Sequence, residues 1–343
     1  QEPVDDIEPT DLPRGSDDVS FLSQVGIHLR RQFVLAFRDT TFYLGRAAIF
    51  LIACIFFSWV YVDMRERNQF QVSNRMFLTF WFIAVPSCLG AMAVNALNLE
   101  FLAVQRELKN GTYNPWSYLV ANTLFQMPAM VVLALCILGI PGYAISNFQA
   151  DAFGKMLGLY SVTLWTFEMF AQFFSIAAHN PLDGILMYLC VWFASFLFSG
   201  VMLAVDSVPW PLKVLAYVTP FRWSISSIVK SEFLGSVFDG AQLVDNPAPG
   251  MPAYECVPAV PLCYGRTGEQ ALSVLSHTFP LFEPADTLYR DALLTLAIGA
   301  AAKLAFFVLF HFRVANARLS APPQSNSDPP APSAPSASLQ SPV

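Results

Sequence analysis

The hydrophobic positions of the chain fall into long apolar runs separated by short polar segments. A membrane-spanning helix needs about 20 mostly apolar residues, and six windows meet that requirement. They cover roughly residues 42–62, 76–99, 117–140, 154–178, 185–205 and 288–310. Because a segment inside a bilayer must satisfy its backbone hydrogen bonds internally, runs of this length indicate helices and not barrel strands. The pattern therefore predicts an all-α membrane protein with six transmembrane helices.

A further helix is predicted before the first span, within residues 21–40. Apolar residues recur there at helical spacing, and arginines lie elsewhere on the helical wheel. The apolar set is Leu22, Val25, Leu29, Phe33 and Phe37, and the arginines are Arg30, Arg31 and Arg38. This pattern is typical of an amphipathic helix lying in the membrane surface. The alternative is a soluble helix packed on a domain outside this sequence.

The two ends of the chain complete the expected organisation. Residues 1–20 are acidic and contain proline, the last residues are rich in proline and serine, and neither composition can bury a core. The chain opens at Gln1 and not at Met, which favours an incomplete or excised sequence. The expected domains are an acidic disordered linker (1–20), an amphipathic connecting helix (21–40), a six-span domain (41–313, with outer segment 206–287) and a disordered Pro/Ser-rich tail (314–343).

Composition agrees with a membrane protein and excludes one class of partner. Hydrophobic residues make up 55% of the 343 residues and charged residues 13%, against about 25% charge in a typical soluble domain. The net charge of −6 arises in residues 1–20, where seven acidic residues face Arg14 alone. Because nucleic-acid binding needs a basic patch, which this sequence lacks, nucleic acid is excluded as a partner.

The distribution of lysine and arginine predicts the orientation in the membrane. With a cytosolic N-terminus, eight of these residues lie near inner span ends and four in short outer loops, as the positive-inside tendency requires. This orientation places the charged hinge at 105–118, named the elbow below, in the cytosol, and it places 206–287 outside. Cys256 and Cys263 lie in that outer segment and are predicted to form a disulfide, which an oxidising compartment permits.

Four sets of residues follow one another in a recognisable order. Before the first span stand Gln24, Arg31, Arg38 and Asp39, in the pattern Q-x(6)-R-x(6)-R-[DN]. After the second span come Glu100, Arg106, Glu107, Gly111, Tyr113 and Pro128. Later come "LFSGVML" (197–203) with "VPWPLKVLAYVTPFRWSISSIVKSEFLG" (208–235), and then "CYGRTGEQAL" (263–272). In this order on six spans, they resemble the transmembrane half of the G-subfamily (White/pleiotropic-drug-resistance type) of ATP-binding-cassette exporters, over about residues 20–313.

The resemblance implies a type-2 ABC exporter permease fold in a plasma or internal membrane. It further implies a two-fold dimer with a second transporter half, alike or different, and ATP-driven export of lipids, sterols or amphipathic xenobiotics. The chain has no G-x(4)-G-K-[ST] segment and no ABC signature, so ATP and Mg²⁺ would bind a nucleotide-binding domain that is encoded upstream or separately. The full-length product would be an ATP-hydrolysing translocase, whereas this chain carries no nucleotide-binding motif.

The resemblance assigns the connecting helix and the elbow to the contact with that domain. Six residues would transmit its closure to the spans: Gln24, Arg31, Arg38, Glu100, Arg106 and Glu107. The alternative is an ordinary solvated loop whose charges only set the topology.

The resemblance also implies a transport path on the dimer axis, between the second and fifth spans of both halves. Its residues would be Phe80, Trp81, Val85 and Cys88 on the second span and Trp192, Phe193 and Phe196 on the fifth, with Val201 and Met202 as an upper gate. Flat apolar walls with few polar groups suit flat apolar cargo. The alternative is that these aromatic residues pack helices or face lipid.

Two ionisable residues lie inside predicted spans. Glu168 and Lys303 both come about 14 positions in from the outer side, roughly 21 Å at the rise of a helix. Charges inside spans are costly and are usually paired or functional, so equal depth predicts a Glu168–Lys303 ion pair. The alternatives are a Lys303 that extends to the cytosolic headgroups and a Glu168 that is protonated or part of a polar network.

Two other classes of function compete with the exporter. A scramblase or channel without ATP coupling would have the spans but no associated nucleotide-binding domain. An intramembrane enzyme would need converging catalytic groups, and neither Glu168 nor Lys303 has a histidine, a Ser–His pair or a metal-ligand set beside it. We therefore predict the permease half of an ATP-driven exporter, with no metal site.

Overall fold

A computed structural model describes residues 19–38, 44–243, 254–256, 262–284 and 287–319, with side chains as far as Val314. These residues are mostly helical. The helices are α1 Phe21–Arg38, α2 Gly45–Val60, α3 Val72–Leu89, α4 Ala91–Lys109, α5 Pro115–Ile137, α6 Phe153–Ala177, α7 Pro181–Leu197, α8 Lys213–Val218, α9 Pro220–Phe233, α10 Gly268–Thr278 and α11 Leu288–Leu319. Asp39, nearly all of the predicted linker and the tail beyond Leu319 lie outside the described residues.

The outer segment combines short helices with one small sheet. Helices α8, α9 and α10 lie in it, and β1 (Ala241–Leu243) pairs antiparallel with β2 (Tyr254–Cys256). Helix α9 does not remain at the periphery, since it packs against α3, α6, α7 and α11. The segment predicted to lie outside therefore contributes one helix to the interior of the bundle.

Each predicted window corresponds to a helix, and within the described residues three helical segments are long and apolar enough to cross a membrane. These are Gln69–Lys109 (containing α3 and α4), Pro115–Ile145 (α5 with a wider π-type end) and Leu288–Val314 within α11. Helices α2 and α7 are apolar but have 16 and 17 residues, and α6 has 25. The count of six crossings therefore stays a prediction. The elbow is helical as far as Lys109, so its non-helical part is only 110–114.

Helix α3 contains a proline whose effect on the backbone is compensated by its neighbours. Because proline has no N–H, Pro86 leaves the carbonyl of Phe82 without the usual helical partner. The Tyr160 hydroxyl of α6 donates to that carbonyl, and the Tyr188 hydroxyl of α7 donates to the carbonyl of Ser87. Neighbouring helices thus satisfy backbone groups that water cannot reach inside a bilayer.

Helix α6 is the centre of the bundle and packs against α4, α5, α7, α9 and α11. A Cβ atom at Gly299 of α11 would lie 2.7 Å from Thr166 Oγ1 and 2.8 Å from Trp165 Cζ3. We expect Gly299→Ala to lower the free energy of unfolding by about 1–3 kcal/mol through overpacking, measured in mixed detergent micelles. Gly158→Ala in α6 is the matched control, because its Cβ would meet no neighbour within 4 Å and alanine favours helix. Equal losses would contradict this close approach.

Helix α1 buries polar residues and exposes apolar ones. Gln24, His28 and Gln32, spaced four apart, are buried, whereas Leu22 and Phe37 are 77% and 84% exposed. A helix with one face in water shows the opposite arrangement. The buried face packs along α5, and the exposed apolar face suits contact with lipid. The position of α1 in the membrane surface stays a prediction, supported by this inverted pattern.

Candidate functional site

The elbow and α1 are joined by one ion pair and one hydrogen bond, and a further hydrogen bond within the elbow supports the ion pair. Arg31 Nη1 of α1 lies 2.8 Å from Glu107 Oε2 of α4, and the Tyr113 hydroxyl donates to the same carboxylate oxygen at 2.7 Å. The backbone N–H of Asn114 donates to Gln24 Oε1 at 3.1 Å. The two charged side chains are 44% and 31% exposed, so solvent screens the pair and its contribution to stability is modest. Its main effect is to hold α1 against the elbow.

The turn between α4 and α5 is tight because its sequence ends one helix and starts the next. Gly111 has a φ of +69°, a left-handed conformation that glycine adopts without strain. The Asn114 side chain accepts a hydrogen bond from the N–H of Trp116 at 3.0 Å, and Pro115 occupies the first position of α5. Both are favoured helix-start features. The elbow is therefore a defined turn and not a loose loop.

His28 is a member of this cluster that the sequence analysis missed. Its ring lies edge-on to Tyr113 and Tyr118, with centroids 4.2 and 6.1 Å apart. The Tyr118 hydroxyl in turn donates to Glu100 Oε1 at 2.9 Å. Burial, and after it the positive charge of Arg31, lower the pKa of His28. The signal for its position was the four-residue spacing of Gln24, His28 and Gln32, a polar stripe on an otherwise apolar helix.

The structure brings together only part of the six residues that were predicted to transmit the movement of a nucleotide-binding domain. Arg31 and Glu107 meet directly, and Gln24 bonds to the backbone of Asn114 in the elbow. Glu100 accepts a hydrogen bond from Tyr118, which lies beside His28. Arg106 is exposed on α4. Arg38 is the last residue of α1, seven residues beyond Arg31 and about 10 Å further along the helix. Neither arginine belongs to the cluster.

An aromatic cluster connects the predicted path residues of α3 and α7. Trp192 and Phe196 stack with centroids 5.2 Å apart, and Phe80 lies 5.2 Å from Phe196. Phe221 of α9 completes the cluster at 5.7 Å from Phe196 and 5.8 Å from Phe80. The sequence analysis missed Phe221 because α9 belongs to the outer segment. Phe80 is fully buried, so in this single chain it packs the core and does not line an open wall.

The other predicted path residues differ in exposure. Trp81 stacks on Phe57 of α2 at 5.0 Å, and it is half-buried together with Val85, Cys88, Trp192 and Phe196. Phe193 is 59% exposed and Met202 is 44% exposed, whereas Val201 is buried. Phe193 points away from the cluster because successive residues of a helix are about 100° apart. A continuous half-exposed strip therefore runs along α3 and α7, without Phe80, Phe193 or Val201.

The predicted Glu168–Lys303 ion pair is wrong. Glu168 Oε2 lies 2.7 Å from Arg46 Nη2 of α2, and both side chains are buried. Lys303 Nζ instead donates to three amide side chains. These acceptors are Asn122 Oδ1 at 3.0 Å, Gln126 Oε1 at 3.2 Å and Gln172 Oε1 at 2.7 Å. Lys303 is thus buried among neutral acceptors from α5 and α6 and does not extend to the headgroups.

The pair fails because each charged side chain meets a different partner in the packed bundle. Lys303 bonds to Gln172, which lies one turn beyond Glu168 in α6, about 6 Å further along that helix. Glu168 instead meets Arg46 of α2. Counting positions from the predicted helix starts could not detect which side chains come within reach of each other.

The end of the bundle that carries the predicted outer segment holds a buried charge pair that was not predicted from the sequence. Arg75 Nε of α3 lies 2.8 Å from Glu232 Oε1 of α9, with 1% and 0% of the side chains exposed. The backbone N–H of Gln149 donates to both carboxylate oxygens. Arg75 is one of the four basic residues that the topology prediction counts in the short outer loops, with Arg65, Arg67 and Lys155. Nearby in the chain, Cys256 and Cys263 are joined by a disulfide.

The part of the chain that matches a known protein family forms most of the helical bundle. The family model described as ABC-2 type transporter matches residues 23–233, which run from α1 to the end of α9. ABC transporter G family member 23 of Arabidopsis thaliana is 25% identical over 206 residues, 58% of this chain and 32% of that protein. Member 1 of Petunia hybrida is 25% identical over 230 residues, 63% of this chain and 34% of that protein. Member 13 of Arabidopsis thaliana is 21% identical over 310 residues, covering 89% and 42%.

The chain spans about a third of the length of the first two of these relatives. The match covers the transmembrane part, which confirms the resemblance to the transmembrane half of G-family transporters. Together with the three apolar helices long enough to cross a bilayer, it shows an integral membrane protein. The chain therefore belongs to the ABC-2 type transporter family.

Proposed function

We propose that this chain is the permease half of an ATP-driven exporter that moves lipids, sterols or amphipathic xenobiotics across a membrane. The observation that carries the proposal is the contact between α1 and the elbow, centred on Arg31 and Glu107. This contact connects the connecting helix to the turn between two long apolar helices. A domain that moves α1 from the cytosol would therefore also move α4 and α5.

ATP and Mg²⁺ are assigned to a nucleotide-binding domain, upstream or on a separate chain. The sequence has no phosphate-cradling G-x(4)-G-K-[ST] segment. In the part of the chain that the structure describes, no three His, Cys, Asp or Glu residues are grouped to hold a metal ion. The residues of this chain therefore do not fit nucleotide binding, and its own contribution is to receive and transmit movement.

The half-exposed strip on α3 and α7 supports pairing with a second transporter half. Trp81 and Trp192 present large apolar surfaces there, and Trp192 Nε1 is satisfied by Ser87 Oγ at 2.8 Å. Two such strips facing each other across a two-fold axis would form a flat apolar passage. Such walls suit sterols, lipids and planar amphipathic molecules.

Charge exchange at the elbow tests the coupling. We expect Arg31→Glu and Glu107→Arg each to reduce cargo-stimulated ATP hydrolysis by roughly fivefold or more, because like charges would then face each other across the α1–elbow contact. The double exchange should recover most of the loss, since it restores the ion pair in reverse. The measurement uses this chain together with its nucleotide-binding domain in liposomes.

Arg30→Glu is the matched control, since it makes the same charge change one residue earlier at an exposed position. It should leave the stimulation unchanged. Lipid or ion movement that needs no ATP, and that all four variants retain, would contradict the proposal and indicate a scramblase or channel.

A further inference from the structure

A groove of about 370 Å³ lies between the C-terminal half of α1, the start of α2 and the middle of α5. Its walls are almost entirely apolar and include Phe33, Phe37, Ala47, Leu133 and Cys136. Its volume is in the range of ligand sites, about 300–1,000 Å³. The one charged group in its described lining, Arg46, is bonded to Glu168. Residues 39–43, which connect α1 to α2, lie outside the described residues and are not assigned to the groove.

A cation lies at the edge of this groove on an apolar surface. Arg38 lines the adjoining depression together with Phe33, Val34 and Phe37. Phe37 is 84% exposed and Val34 51%, so the surroundings of Arg38 suit lipid. Arg38 forms no ion pair or hydrogen bond with any described residue, and α1 contains no acidic residue that could neutralise it. A cation in contact with lipid is stabilised by an anion or by reaching the headgroups.

We propose that this groove binds an anionic phospholipid of the surrounding membrane. One acyl chain would lie along the apolar walls formed by α1 and α5, and the phosphate would meet the Arg38 guanidinium. Two features favour an anionic over a zwitterionic lipid. Arg38 lacks a carboxylate partner in the described structure, and α1 has no acid of its own. Of its three arginines only Arg31 is paired with a carboxylate among the described residues, and unneutralised cations attract anionic lipid at the membrane surface.

The site would act on the same helix that contacts the elbow. Arg38 and Arg31 lie on α1, about 10 Å apart along the helix. A lipid bound at the C-terminal end of α1 would brace the helix that contacts Glu107 through Arg31. The inference does not depend on ATP-driven export, because it concerns binding alone.

Two native cysteines provide the test. Cys136 lines the groove, whereas Cys190 lies on α7, and both thiols are exposed. The purified full chain in detergent micelles is given phosphatidylglycerol or phosphatidylcholine at equal mole fraction. Alkylation by a lipid-soluble maleimide is followed at each cysteine by peptide mass spectrometry. We expect phosphatidylglycerol to slow alkylation of Cys136 several-fold relative to phosphatidylcholine, and to leave Cys190 unchanged.

Two variants connect the protection to Arg38. Arg38→Glu should abolish the protection by phosphatidylglycerol, and Arg30→Glu, the same charge change away from the groove, should retain it. Arg38→Gln replaces Arg38→Glu if the latter does not elute as a single species on size exclusion. Equal protection by both lipids, equal protection of both cysteines, or protection that survives loss of Arg38 would overturn the proposal. A Cys136 that stays protected without added lipid would also overturn it and indicate a second copy of the chain on this face.

Discussion

Replacing Arg75 with methionine is expected to lower the free energy of unfolding by about 3–5 kcal/mol, the range found when one partner of a buried ion pair is removed. The carboxylate of Glu232 would remain fully buried with only the N–H of Gln149 as a donor. Arg75 also donates to the carbonyls of Met64 and Asn147, so its loss removes this donor from Met64 and leaves Asn147 with Arg67. The change should detach α9 from α3 and disturb the outer side of the bundle.

The measurement is unfolding of the purified chain in mixed detergent micelles. Lys213→Met breaks the exposed pair with Asp206 and should change the free energy by less than about 1 kcal/mol, which makes it the control for loss of a cation as such. Adding Glu232→Gln to Arg75→Met should recover part of the stability, because it removes the buried charge. A loss for Arg75→Met no larger than that for Lys213→Met would show that the Arg75–Glu232 pair does not hold α9 in place.

Replacing Arg46 with methionine is expected to have a similar effect, about 3–5 kcal/mol, for the same reason. Arg46 comes from the start of α2 and reaches Glu168 in the centre of α6 at 2.7 Å, so the pair ties the first apolar helix to the central one. Glu168→Gln should cost less, because the amide oxygen still accepts a hydrogen bond from Arg46; the remaining cost is that of the buried guanidinium without its counter-charge. A double-mutant cycle on these two positions should give a coupling energy of about 1–3 kcal/mol.

The matched comparison is a second cycle on Glu168 and Lys303. Lys303 donates to three neutral amide groups and not to Glu168, so Glu168→Gln and Lys303→Met should be additive within about 0.5 kcal/mol. Both cycles use the same Glu168 variant and the same unfolding measurement. A large coupling in the second cycle and none in the first would restore the ion pair expected from the sequence and refute the observed one.

The apolar helices and the connecting helix were predictable from local patterns. Each of the six windows corresponds to a helix. An apolar run of about 20 residues has the length and composition of a membrane-spanning helix, and both can be read from the segment alone. The amphipathic helix at 21–40 matches α1, although its buried stripe is the polar one. The family was recognisable from short motifs in fixed order, and the match over residues 23–233 confirms it.

Helix boundaries were less predictable where a helix continues past the apolar region. The elbow was defined as 105–118 by its charges, but α4 remains helical to Lys109 and only five residues form the turn. Charged residues indicate that a segment contacts water, but they do not show where its helix ends, because a helix can extend into water with the same backbone conformation. The interior position of α9 was not predictable for a related reason, since the polar sequence around this helix does not indicate that it packs against α3, α6, α7 and α11.

The sequence alone determined the class of the protein, the helices and the presence of costly charges inside them, because these depend on what each short segment exposes or buries. Only the tertiary structure decided which charges meet: Glu168 with Arg46, Lys303 with amides, Arg75 with Glu232. It likewise decided that Phe221 completes the aromatic cluster and that a groove opens beside Arg38. Such partnerships depend on the relative depth, rotation and spacing of helices far apart in sequence. These quantities are set by packing of the whole bundle and are not encoded in any single segment.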